Sequence, residues 1–241
     1  MRYEPRTYRS YSKSEDLISF KAQIEETDLF ILADRDLSAE SKRFIERIRA
    51  DIKGYIQKNP GFKDSLEPVE AEDDAPRIIR DMVQAAKKAG VGPMAAVAGA
   101  VAEAVGRELL KFSSQVIVEN GGDIFISSDK PRIIGIYAGE SKLSEKIGIQ
   151  IEKSQYPCGI CTSSGTVGHS LSFGKADAVV IISTSTALAD AAATAICNKI
   201  KSKDDIGNGI EFAQTIEGVS GILVIVEDIF GAWGDVKLVD I

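Results

Sequence analysis

The sequence of 241 residues is poor in cysteine, in histidine and in aromatic side chains, the last making up only 7% of it. Its three cysteines, Cys158, Cys161 and Cys197, are odd in number and too few for a disulfide framework. That excludes a small stapled scaffold and fits a reducing compartment. An excess of basic charge is missing too: 29 Lys and Arg stand against 36 Asp and Glu, a formal charge of -7. A general polyanion binder, whose affinity rests on clustered cations, is excluded, and nucleic acid is not an expected partner. Long hydrophobic runs are absent as well. The longest weakly polar stretch, residues 91–105, contains Glu103 and consists mainly of Ala and Gly. It is too short and too feebly apolar for a bilayer, so it reads as a packed internal helix and no membrane is expected. The opening residues Met1-Arg2-Tyr3-Glu4-Pro5-Arg6 lack the apolar stretch of a signal peptide, and a cytoplasmic protein is the expectation.

What is there is 44% hydrophobic and 27% charged, the balance of an ordinary globular chain. At this length folding buries roughly 70–75% of the surface of the unfolded chain, enough for one large core or two small ones without metal or disulfide. No short tandem repeat is present, and one domain over residues 1–241 is expected.

Residues 17–24 and 28–33 alternate around Glu25-Glu26-Thr27 and read as a β-hairpin. From Ser38, a plausible N-cap, Phe44, Ile45, Ile48, Ile52, Tyr55 and Ile56 recur at helical spacing until Asn59-Pro60 stops them. The acidic stretch 66–76 reads as an exposed connection, and 77–89 as a further helix. Pro93 opens a helix to about Lys111 whose Ala and Gly residues require something to approach its backbone closely. Short β-branched runs follow at 115–118, 124–127, 133–137, 147–151, 179–183 and 221–226, with helices at 187–199 and 207–216 between the last two. Strands clustered with helix pairs between them predict an α+β fold of antiparallel sheet covered by helices.

Four segments carry residue types that suit chemistry. Residues 92–100, small at a helix start, offer N–H groups and partial positive charge to a phosphate or carboxylate, or else serve close packing. Glu119-Asn120-Gly121-Gly122-Asp123 is a hairpin turn by composition, with Asp123 able to turn a carboxylate into a site. Residues 161–174 concentrate six hydroxyls, three glycines and the only histidine, His169, as a compact anion site would. This stretch lacks the lysine a Walker A loop needs. In residues 187–195, Asp190 and Thr194 share a helix face and offer two hard oxygens to Mg²⁺. Cys158-Gly159-Ile160-Cys161 adds a CxxC, with Cys161, beside the hydroxyl-rich loop, the better candidate for a reactive thiol.

In this order the segments resemble the ApbE superfamily, whose members include FAD:protein FMN transferases. Asn120-Gly121-Gly122-Asp123 is similar to that family's Asn-x-Gly-Gly-Asp turn. Thr162-Ser163-Ser164-Gly165 resembles its Thr-Ser-Gly loop, and Asp190-Ala191-Ala192-Ala193-Thr194-Ala195 its Asp-Ala-x-Ala-Thr-Ala helix. The likeness covers residues 92–200, and the chain looks closer still to a small cytoplasmic ApbE-like branch. It implies a T-fold-like α+β architecture of duplicated strand and helix-pair units, with antiparallel sheets covered by helix pairs. It also implies a cleft for Mg²⁺ and a flavin nucleotide, FAD or FMN, with Asp190 and Thr194 as metal ligands. Ala98 stands where the transferases carry a lysine, and His169-Ser170-Leu171-Ser172-Phe173-Gly174 replaces their His-x-x-Asp-Pro-x-Thr-Gly segment.

The expected function is an enzyme, FMN transferase-like, acting on a small phosphorylated ligand with Mg²⁺. Asn120, Gly121, Gly122, Thr162, Ser163, Ser164, Gly165, Thr166 and Ser170 would line the ligand. Asp123 would act as base or metal support and His169 as proton donor. The rival expectations are a sulfur-metabolism enzyme using Cys161 with Cys158 as resolving partner, and a non-catalytic binding protein that kept the fold. A homo-oligomer is expected by analogy with T-fold proteins.

Overall fold

The computed structural model describes residues 16–166 and 174–241. Strands β1 (Ile18–Ile24) and β2 (Thr27–Ala33) form the expected hairpin. Helix α1 (Ser38–Lys58) buries Ser41, Ile45, Ile48, Ile52 and Tyr55, a stripe spaced by three and four residues. Ser38 is its first residue rather than its cap, and the Ser38 amide donates to Asp36 Oδ1 at 2.8 Å. The short α2 (Gly61–Asp64) and the connection 66–76 lead into α3 (Arg77–Ala89). Gly90, in the left-handed region with φ +72°, ends α3, and the Gly90 and Val91 amides both donate to Ala86 O. A 3-10 turn (Pro93–Ala96) opens onto α4 (Val97–Leu109), so the small-residue helix starts as two pieces rather than one.

Next come β3 (Val116–Asn120), β4 (Asp123–Ser127), β5 (Arg132–Gly135), β6 (Ile147–Ile151), β7 (Cys158–Ser163) and β8 (Ala178–Ser183). The chain ends with α5 (Thr186–Lys199), α6 (Ile206–Thr215), β9 (Val219–Val226), β10 (Ile229–Gly234) and β11 (Lys237–Asp240). Strand β7 corrects the sequence reading, which placed Cys161, Thr162 and Ser163 in a loop. Its six residues hold two cysteines and a glycine, a composition that hides a strand whose two faces are both buried.

The eight-stranded antiparallel sheet runs β1-β2-β3-β4-β7-β8-β9-β10. Two four-strand units, β1 to β4 and β7 to β10, therefore meet at the β4–β7 pair, each with helices between its second and third strands. Duplicated strand and helix-pair units are thus explicit in the strand order. One face of this sheet packs under the helices, where Val118, Phe125, Ile181 and Val224 meet Ile45, Ile79, Met82, Val105 and Ile196. The other face packs on a three-stranded sheet, β11-β6-β5, through Ile117, Ile126, Ile160, Val180, Leu223, Ile149 and Ile151. Each such side chain contributes roughly 1.5–3 kcal/mol by leaving water, so two cores separated by one sheet hold the fold. Among the described residues, no single helix is long and apolar enough to cross a membrane.

Candidate functional site

Helix α5 is the pivot. All of it is buried except Asp190, Thr194, Asn198 and the terminal Lys199, so its only open stripe runs along residues spaced by four. Alanines elsewhere on α5 let neighbours come close. A Cβ on Gly99 of α4 would lie 2.4 Å from Thr186 O and 2.8 Å from Asp190 Cβ, and one on Gly159 of β7 would lie 2.4 Å from Thr186 Cα. The first turn of α5 is therefore gripped between two glycines, which is the close approach the small-residue helix required.

The same crowding decides what the start of α4 binds. The Gly99 amide donates to Asp190 Oδ2 at 2.9 Å, and the Ala98 amide turns to the same carboxylate. An incoming phosphate therefore does not find these N–H groups free. The anion at this helix start is a side chain of the protein itself.

The turn between β3 and β4 brings the second carboxylate. Gly121 and Gly122 take φ of +70° and +106°, so the two-residue link needs glycine at both places. Asn120 donates from Nδ2 to Ala98 O at 3.0 Å, the Gly122 amide donates to Glu119 Oε1 at 2.9 Å, and the Thr162 amide donates to Gly122 O at 3.3 Å. Pinned to α4 and β7, the turn starts β4 with Asp123, which pairs across the sheet with Cys161 and is buried on the helix side. Burial pushes the Asp123 carboxyl well above the usual carboxylate range, and the neighbouring Asp190 pushes it further. Burial likewise drives Asp190 up to about 7, although the Gly99 and Ala98 amides pull the other way. No lysine or arginine among the described residues balances either acid.

Alternation along β7 sorts the remaining residues. Cys161 lies in the helix-side core and Cys158 in the opposite one. Three residues apart on a strand, they leave opposite faces and cannot form a disulfide with each other, which corrects the CxxC reading. Burial pushes the Cys158 thiol up to about 12. Burial, then the carboxylates of Asp123 and Asp190, raises Cys161 well above its usual value, and its thiol donates to Thr186 O at 3.4 Å. That is the setting of an inert, protonated thiol rather than a nucleophile. Thr162, by the same alternation, points its side chain away from Asp123.

Ser163 returns to the helix side, and its buried Oγ has no hydrogen-bond partner among the described residues. Ser164 and Thr166 instead tie the stem of the following loop: Thr166 Oγ1 donates to Asp177 Oδ1 at 2.9 Å, and the Thr166 amide to Ser164 Oγ at 3.1 Å. Gly165 permits that stem to close, since a Cβ there would lie 2.1 Å from Gly174 O. His169 and Ser170 lie outside the described residues. The structure thus brings together Asn120, Gly122, Asp123, Cys161 and Asp190, with Thr194 one turn along the same stripe. It leaves Thr162, Ser164 and Thr166 turned to other work.

Sequence reasoning missed Glu103. Its Oε2 accepts from the Thr186 amide at 2.7 Å while Arg107 holds its other oxygen, so α4 caps α5 from outside. Ser185 adds the usual side-chain cap by accepting from the Leu188 amide at 3.3 Å. The only signal in the sequence was a lone acid within an alanine and glycine run.

The buried Asp123 and the partly open Asp190, neither with a balancing cation among the described residues, form with Thr194 one turn on and the Ser163 hydroxyl an oxygen-rich donor set that fits a hard divalent ion. Among the described residues, no three of His, Cys, Asp and Glu gather to hold an ion alone. The set therefore suits a cation such as Mg²⁺, which keeps water or substrate phosphate in its shell.

The architecture is that of the ApbE flavin transferases. The chain superposes on the apo form of the flavinyl transferase ApbE of Pseudomonas stutzeri with a TM-score of 0.60 at 14% identity, covering 90% of this chain and 94% of that one. Against the flavin transferase ApbE of Vibrio cholerae the TM-score is 0.54, again at 14% identity, over 90% and 96%. A family model described as AbpE bacteria matches residues 9–218. The UPF0280 protein MJ1526 of Methanocaldococcus jannaschii is 44% identical over 219 residues, spanning 88% of this chain and 89% of that protein. A UPF0280 protein of Methanocella arvoryzae is 40% identical over 218 residues, spanning 89% and 87%. The chain belongs to this UPF0280 group of ApbE-like proteins.

Proposed function

We propose that this protein is an enzyme that binds a phosphorylated ligand, a flavin nucleotide foremost, together with Mg²⁺ in the cleft between α4, α5 and the β3–β4 turn. The observation that carries this reading is the pair of neighbouring acids, buried Asp123 and half-buried Asp190, unbalanced by any described cation. Burying two like charges side by side costs several kcal/mol unless protons or a metal neutralise them. A divalent ion at Asp190 and Thr194, with Asp123 behind them, supplies that neutralisation and would polarise a phosphate oxygen of the ligand. Asp190 is held in place for this by the start of α4. Asn120 fixes the turn that presents Asp123, and Ser163 offers a free hydroxyl to the ligand.

Transfer of a nucleotide moiety is the reaction class that the named structural neighbours suggest, and positioning with charge neutralisation is most of what such chemistry asks of a protein. Ala98 in place of a lysine leaves the surroundings of Asp190 with less positive charge than the transferase motif provides, which favours a ligand whose charge the metal alone can carry. Calorimetric titration of Mg²⁺ with and without FAD, on wild type and on Asp190→Ala, tests the reading. Wild type is expected to bind FAD only when Mg²⁺ is present, and Asp190→Ala to lose that dependence together with the affinity. Equal binding by the two proteins would remove the metal site, and no binding of FAD or Mg²⁺ by wild type would favour a non-catalytic relative that kept the fold.

A further inference from the structure

The last strand of the large sheet ends it with an unusual edge. Among the described residues nothing pairs with the outer side of β10, and its six residues, Ile229-Phe230-Gly231-Ala232-Trp233-Gly234, include neither a charge nor a proline. Ile229 and Phe230 are each 47% exposed and Trp233 is 38% exposed. The opposite edge, β1, carries Lys21 at its middle, a common guard against pairing with another chain. An unguarded apolar edge six residues long is a template for strand addition.

The pattern of small and large residues on β10 says what kind of strand fits. Ile206 and Ile210 of α6 lie over Gly231, within 2.6 and 2.9 Å of where a Cβ would stand, so Gly231 faces the helices. Alternation then sets Ile229 and Trp233 on the helix face and Phe230 and Ala232 on the other. A second copy related by a two-fold axis normal to the sheet keeps each face on its own side only when paired positions share a face. The axis must therefore pass midway between a residue and its own copy on the partner strand. Centred on Ala232, the pairing sets Trp233 opposite Gly231 of the partner subunit and Phe230 opposite Gly234 of the partner subunit. Each aromatic then covers a glycine, an arrangement that stabilises edge glycines across antiparallel strands. Centred on Gly231, the ladder would leave two glycines face to face and run acidic Glu227 toward acidic Asp235.

We infer that the chain forms a two-fold dimer by antiparallel pairing of β10 with β10 of a second copy, centred on Ala232, which continues the sheet across both subunits. The strand is self-complementary in size, and pairing satisfies the outward backbone groups of two edges at once.

Sedimentation velocity of the full chain across the micromolar range tests this, alongside the emission of Trp233, the only tryptophan in the sequence. Wild type is expected to sediment as a dimer, with Trp233 emission shifting to the red as dilution releases monomer. Phe230→Lys sets two like charges near the axis and should weaken association at least about tenfold while circular dichroism stays native. The register has its own check. All three native cysteines are buried, so Ala232→Cys adds the one accessible thiol among the described residues, and mild oxidation should link two chains through it. A wild-type monomer throughout the range, a dimer indifferent to Phe230→Lys, or an Ala232→Cys protein that stays unlinked would each overturn the inference.

Discussion

Asp123 shows at the scale of one residue what burial of an acid costs the fold. Its carboxyl is buried beside Asp190, and the neighbouring Cys161 and Asn120 bring no charge to offset it. Exchanging it for an isosteric amide removes a buried acid while keeping the turn. Asp123→Asn is therefore expected to raise the melting temperature in the absence of divalent metal, by about 1 kcal/mol of stability, and to shrink the further rise that Mg²⁺ gives wild type. Thermal melts with chelator and with Mg²⁺ check both parts. The placement of Asp123 was legible, because an acid directly after Gly-Gly marks a hairpin turn into a strand. That its neighbour is a second acid was not, since Asp123 and Asp190 stand 67 positions apart in the sequence.

At the scale of elements, the question is what holds α5 where Asp190 must stand. The helix has small residues on nearly every side and so little shape of its own to lock it. Its position comes from the grip of Gly99 and Gly159 and from Glu103 at its first turn. Glu103→Ala removes a charge-assisted bond to an N-terminal amide and leaves Arg107 without its partner. A loss of about 1–2 kcal/mol in urea unfolding is expected, with Glu103→Gln recovering part of it. Most helices and strands were legible from periodicity. Strand β7 was missed because cysteine, glycine and threonine hide alternation, and β10 because two glycines interrupt its pattern.

Across the whole molecule the two sheets are joined by a polar network rather than by apolar packing alone. Asp34, at the end of β2, accepts from the Ser114 amide at 2.7 Å and from Ser113 Oγ at 2.9 Å. Beyond it, Arg132 of β5 donates to Gln115 Oε1 at 2.7 Å and pairs with Asp16. Partial burial opposes ionisation of Asp34, but the donors of Ser114, Ser113 and Gln115 outweigh it and hold its carboxyl below the usual range. A carboxyl depressed in the folded state adds stability above its unfolded pKa, and that contribution fades as pH falls through the folded value. Asp34→Asn is thus expected to cost no more than about 1 kcal/mol at neutral pH, given its exposure to screening water. The gap from wild type should begin to narrow as pH falls below about 4, the unfolded value, and close only once pH has passed the depressed folded value, where both states of the wild-type carboxyl are protonated. Unfolding curves measured at a series of pH values check the convergence.

Periodicity and turn chemistry are local properties, and they sufficed for the hairpin at the N-terminus, the face of α1, the Gly-Gly link and the α+β class. Motif order pointed further, to the ApbE-like fold and to segments that come together around Asp123 and Asp190. Which groups are free to bind was a different matter, because it depends on who stands beside whom. The amides at the start of α4 went to Asp190, Thr166 went to Asp177, and the two cysteines of the CxxC parted to opposite cores. Hydrogen bonds and burial are settled between residues distant along the chain, so their allotment exists only once the sheet, with its helices above and its smaller sheet below, has closed.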